Sequence, residues 1–221
     1  MDLGKAFSFT FDDPDWVKKV LLGGVISLVP ILNFAASGYS LEVTKRVIHN
    51  DPRPLPEWDD IGGKLVKGFL VAVIGFVYAL PLTLMNCILQ VVTQTLARSS
   101  SSSSSDQMGT AVIVLTSCLG CLMFLYGIFM GFVLPAAIGN YAAKDQLGAA
   151  FRFGEIWSLV QKNPSSYLMV LVIEIISGLV AVLGIIACII GVAFTGFWAV
   201  LVTGHATGQA YREASANIGL V

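Results

Sequence analysis

From Tyr167 to Tyr211 the chain runs for 45 residues without a lysine, arginine or aspartate, and Glu174 and His205 are its only glutamate and histidine. A single membrane-crossing helix needs about 20 apolar residues at 1.5 Å rise each, so this length suits two crossings joined by a tight turn. Lipid offers the backbone no hydrogen bonds, which leaves an antiparallel helical hairpin as the expected form. The glycine-bounded cluster Gly184 to Gly191 is the natural turn, and a turn centred on Ile189 and Ile190 sets Glu174 and His205 at one depth.

The rest of the chain shares this solvent. Hydrophobic residues make up 56% of it and charged residues 12%, the composition of a helical membrane protein. A net charge of -1 gives no electrostatic reason to expect a nucleic-acid partner. The expected fold is all-α and polytopic: four transmembrane helices, an N-terminal re-entrant or kinked fifth spanning helix pair, and cytoplasmic interfacial helices.

The expected layout is a single membrane domain. Residues 1–49 form a surface segment and the re-entrant or kinked helix. The stretch Phe7 to Phe11 alternates aromatic and polar residues and should lie on the membrane surface, and Asp12 to Trp16 reads as a helix start. Lysines stand on both sides of the short apolar run from Val20 to Ala36, and the positive-inside rule places both flanks in the cytoplasm, as a re-entrant pair broken near Pro30 allows. A cleaved signal peptide is not expected there, because four aspartates precede the run. Residues 50–68 form a cytoplasmic Pro/Trp loop, 69–97 a span, 98–109 a serine-rich outer loop, 110–141 a span, 142–164 a cytoplasmic interfacial helix and 165–213 the hairpin. Glu57-Trp58 and Glu155 to Trp157 precede their spans at matching distances, which suggests a weak internal repeat.

Two stretches, Gly38 to Asp60 with its Pro-Leu-Pro-Glu-Trp-Asp-Asp box and Gly204 to Ala214, resemble the prokaryotic multi-pass membrane family called domain of unknown function 4013. The likeness extends over most of the chain. It implies a bacterial or archaeal cell membrane, and it brings no catalytic residues with it.

An acid inside a span costs about 2.5–3.5 kcal/mol on insertion scales and by default marks a functional site. Glu174 and His205 are therefore expected to pair across the hairpin, either as a lock between helices or as a proton or cation site. Asn86, Gln90 and Gln94 share one helical face, for interhelical hydrogen bonds or for a pore lining. Trp16, Trp58 and Trp157 are expected at the membrane interface. Gly127 with Gly131, and Gly204 with Gly208, are small-residue pairs that permit close helix packing.

Cys118 and Cys121 have redox or metal spacing but no companion ligands, and in an apolar helix cysteine is a small hydrophobe. No metal and no cofactor are expected, although His205 leaves room for one pigment ligand. No nucleophile stands beside a base, so no enzyme is expected. The sequence suggests a non-enzymatic structural or accessory subunit packed in the bilayer against other membrane subunits, with its C-terminus in the cytoplasm. The alternative is a small transporter or channel built on the Glu174 and His205 site, and a cavity reaching Glu174 would distinguish it.

Overall fold

A computed structural model describes residues 1–99 and 105–217, and these are all-α, with no strand among them. In chain order the helices are α1 (Leu3–Ser8), α2 (Trp16–Ser27), α3 (Asn33–Ile48), α4 (Ile61–Ser99), α5 (Ser105–Lys144), α6 (Phe153–Lys162), α7 (Pro164–Leu183) and α8 (Cys188–Ala216). Stretches that are long and apolar enough to cross a membrane lie at Ile61–Leu96, Val112–Lys144 and Pro164–Ile186. Most of the serine run falls outside the described residues.

The chain divides into two compact units. The first comprises Met1–Ile74 and Gly131–Val221, and the second Gly75–Met130. In the first unit α8 is the central element, packed against α7, α3 and α2. The contact of α8 with α3 is close because glycine removes the side chain where the backbones meet. A Cβ on Gly204 would run into Ser40, and one on Gly208 into Val47 and the Thr44 carbonyl. The same device joins α3 to α4: a Cβ on Gly38 would fall on the Lys64 carbonyl, and one on Gly68 on the Phe34 carbonyl.

Helix α2 has 12 residues and α3 has 16, about 18 and 24 Å of rise, so neither alone matches the ~30 Å hydrocarbon core. Leu28, Val29 and Ile31 stand exposed in the turn between them. Helix α3 stops at Ile48, after which Asn50 takes a positive φ of 58°, a conformation that asparagine tolerates better than most residues.

The Pro-Leu-Pro-Glu-Trp-Asp-Asp box closes this unit. Leu55 is buried, and the Pro56 carbonyl accepts the Tyr39 hydroxyl at 2.7 Å. Glu57 and Asp13 hold the buried Lys19 ammonium at 2.6 and 2.8 Å. Trp58 stacks on Tyr39 at 4.4 Å and donates to the Lys19 carbonyl at 3.0 Å. Asp60 accepts from the Gly63 amide at 2.8 Å and starts α4.

Several expectations are corrected here. Phe7 to Phe11 does not lie wholly on the surface: α1 and a 3-10 turn over Phe9–Asp12 form there, and Phe9 is buried in the core while Phe11 stays exposed. Alternation over five residues is too short to outweigh the burial offered by neighbouring helices. Trp58 is not a free bilayer anchor, because its ring face and its N–H are both taken by protein. Trp157 instead lies half exposed on α6, so the two tryptophan segments do not form structurally equivalent repeats. Trp16 is partly buried, edge-on to Phe11 at 4.9 Å.

The second unit, Gly75–Met130, takes in the C-terminal part of α4, with Pro81 inside that helix, and the N-terminal part of α5. The Tyr126 hydroxyl donates to the Tyr78 carbonyl at 2.7 Å, and most of its large apolar side chains, including Phe76, Leu84, Ile88 and Phe124, are exposed.

Candidate intramembrane site

Glu174 lies in the middle of α7, ten residues beyond the Pro164 that opens it. Its side chain is half-buried and faces a cavity of about 280 Å³ inside the first unit. All five of the long elements of that unit reach this cavity: α3 through Ser37, Ser40, Leu41 and Thr44, α4 through Val71, α5 through Ile138, α7 through Glu174, Ser177 and Gly178, and α8 through Ala199, Val200, Thr203, Gly204 and Thr207. Helical spacing explains the shared lining. Ser37, Ser40 and Thr44 recur at three and four residues, as do Val200, Thr203 and Thr207, and Ser177 follows Glu174 by three.

The hydroxyls divide into two sets. Ser40 donates to the Val200 carbonyl at 2.8 Å, Thr44 to the Gly204 carbonyl at 2.9 Å, and Ser177 to the Glu174 carbonyl at 3.2 Å. These three are tied to backbone. Ser37, Thr203, Thr207 and the Glu174 carboxyl make no side-chain hydrogen bond to any described residue, and Thr207 is only 3% exposed. The site therefore presents one carboxyl and three uncommitted hydroxyls in otherwise apolar surroundings.

His205 does not pair with Glu174. Its ring stacks on Phe9 at 4.2 Å, and Nδ1 lies 3.1 Å from the Gln209 amide nitrogen. Gln209 in turn accepts from the Asp2 amide at 2.8 Å. The physical reason is rotation about α8. Thr203, Gly204 and Thr207 turn toward the cavity, and a residue one position after Gly204 is carried about 100° around the helix. The turn is also displaced, since a 3-10 segment occupies Gly184–Ala187 and α8 begins at Cys188. Equal depth along two helices does not make their side chains meet.

A second polar cluster joins the ends of α5, α6 and α8. The Tyr211 hydroxyl donates to Asn140 at 3.1 Å, and Asn140 donates to the Ala149 carbonyl at 2.9 Å and to Glu155 at 3.1 Å. Lys144 and Arg152 lie on Glu155 at 2.5 and 3.2 Å. The Lys144 ammonium, with help from Asn140 and Arg152, brings the Glu155 carboxyl down to about 2. The carboxylate of Glu155 is thus held by two cations and an amide at the junction of α5 and α6.

The remaining candidates are dispersed. Asn86 donates to the Leu82 carbonyl of its own helix at 2.9 Å, and Gln90 and Gln94 are exposed, so this face makes no bond to another helix among the described residues. A Cβ on Gly127 would meet nothing within 4 Å, which removes it from the close-packing set, whereas one on Gly131 would press on the Leu171 side chain. Cys87, Cys118 and Cys121 carry free, exposed thiols. The side chain of Cys188 lies outside the described ones.

Sequence reasoning singled out Glu174 and did not name the hydroxyls that line the same cavity. Their three-and-four spacing on α3 and α8 was the available signal. A family described as protein of unknown function (DUF4013) matches residues 22–192. No curated protein and no solved structure matches the chain.

Proposed function

We propose, from the premise that the chain belongs to the DUF4013 family of proteins of unknown function, that it is a non-enzymatic integral membrane protein that binds a small cation at Glu174 and passes it or responds to it. One observation carries this reading: a carboxyl without a hydrogen-bond or ion-pair partner among the described residues lines a cavity shared by five helices of the first unit. An acid retained at such a depth is expensive unless it serves a ligand or a proton.

The topology proposed with it is four spans and a re-entrant α2–α3 pair. Support comes from the two short helices and their apolar turn, and from α8, which at 29 residues is long enough to cross and runs back along α7. Lys5, Lys18, the Trp58 loop and Arg212 then face the cytoplasm, with both termini, in the cell membrane of a bacterium or archaeon.

The test replaces the four native cysteines and places one at Thr203, facing the cavity. A trimethylammonium-bearing methanethiosulfonate should modify it at least tenfold faster than the sulfonate-bearing reagent, and Glu174→Gln should bring that ratio near one. If neither reagent reacts in the folded protein, the cavity is dry and the cation reading falls.

A structural or accessory role alongside other membrane subunits is the second reading. The exposed apolar side chains of Gly75–Met130 support it, although lipid alone would cover them equally well. A stoichiometric partner retained in mild detergent would favour it.

A further inference from the structure

The chemistry of the cavity narrows the ligand further, and the argument rests on the cation reading above. The structure points, we infer, to a primary organic ammonium with a short apolar body as the occupant, in preference to a bare metal ion.

Three observations lead there. First, the donor set is poor for a metal. Calcium takes six to eight oxygens and magnesium a near-ideal octahedron, whereas this cavity offers a single carboxylate, and no group of three His, Cys, Asp or Glu residues that could hold a metal ion occurs among the described residues. Second, the uncommitted acceptors match an –NH3+ group. Such a group has three donors and no acceptor. Glu174 supplies the charge, and Ser37, Thr203 and Thr207 supply free hydroxyl oxygens on two other helices. Third, the space is too large and too apolar for an ion alone. About 280 Å³ lies at the lower edge of small-molecule pockets. Helices α4 and α5 contribute only Val71 and Ile138 to its wall, and α3 and α8 add Leu41, Ala199 and Val200. A hydrocarbon tail finds a surface there that a hydrated ion does not.

A ligand of this class would leave no buried charge alone. Its ammonium neutralises the carboxylate, and its chain displaces water from the apolar wall. Both gains require the two parts to be on one molecule, which predicts selectivity by chain length and by N–H count together.

The experiment measures thermal unfolding of the full-length protein in detergent at constant ionic strength, with methyl-, propyl- and pentylammonium, the matching alcohols, trimethylpentylammonium and potassium as probes. Glu174→Gln is the control, after its helicity and elution volume are shown to match the parent. Stabilisation should strengthen along the ammonium series, with affinity rising roughly fourfold per methylene until the cavity is full. Alcohols, potassium and the trimethylated amine should be at least tenfold weaker, and Glu174→Gln should abolish the chain-length trend. If potassium matches pentylammonium, or if the trend persists in Glu174→Gln, the organic-ammonium inference is overturned. The cation reading stands or falls separately, on the charge ratio at the Thr203 cysteine. A flat ratio together with no stabilisation by any amine overturns both.

Discussion

Glu155 and Glu174 are both carboxylates on helices, and their surroundings give them opposite parts. Glu155 sits at the rim of the unit between Lys144, Arg152 and Asn140, which hold it at about 2 against an ordinary value of 4.5. Because the folded value is the lower one, the stabilisation is complete above pH 4.5, declines as pH falls toward 2 and is absent below. The side chain is about a third exposed, so solvent screening limits the effect to roughly 0.5–1 kcal/mol. Thermal unfolding in detergent should show Glu155→Gln below the parent at pH 6, and the gap should close between pH 4.5 and 2. Glu174 has no such partners. As it locks nothing, Glu174→Leu should unfold at or above the parent temperature, since the change removes a polar group from an apolar setting without orphaning another. A clear loss of thermal stability in the Leu variant would mean that Glu174 is structural after all. His205→Ala, in contrast, removes the Phe9 stack and the Gln209 contact, and should cost about 1–3 kcal/mol in the same assay.

Among the helices, glycine sets which pairs approach and which do not. Gly38 and Gly68 bring the α3 and α4 backbones together, and an added methyl on either would meet a carbonyl oxygen that cannot swing aside. Gly38→Ala and Gly68→Ala should each destabilise by about 1–3 kcal/mol. Gly127→Ala should be neutral or slightly stabilising, because it meets open space and alanine is the better helix former. Equal effects of all three substitutions on thermal unfolding would undo this account. The small-residue pattern by itself identified Gly204 and Gly208 and overcounted Gly127. It missed Gly38 and Gly68 because they lie on different helices, and a spacing rule reads one helix at a time. The Pro-Leu-Pro-Glu-Trp-Asp-Asp box was legible as a helix stop and start. That its tryptophan would close over Tyr39 and the Lys19 carbonyl was not legible, since those partners lie 19 and 39 residues away.

For the whole molecule, the proposed topology makes a direct prediction. In intact cells of the native host, with the four native cysteines replaced, single cysteines at Ser8 and Ala216 should resist a membrane-impermeant label and one at Ser102 should accept it. Labelling at position 8 together with 102 would replace the re-entrant pair by a full first span. The all-α class, the presence of helices long and apolar enough to cross a membrane and the packing of the last two long helices as a pair were all legible in the sequence alone. Each follows from local composition: 45 residues with one glutamate, one histidine and no lysine, arginine or aspartate have few folds open to them when every backbone group must be satisfied within the segment. The rotation of each helix about its own axis was decided only by the tertiary structure. Depth follows from counting residues, but facing depends on which glycines and side chains meet, and a single residue step turns a side chain by about 100°. That angle sends His205 to Phe9 and turns Thr203 and Thr207 toward the cavity of Glu174.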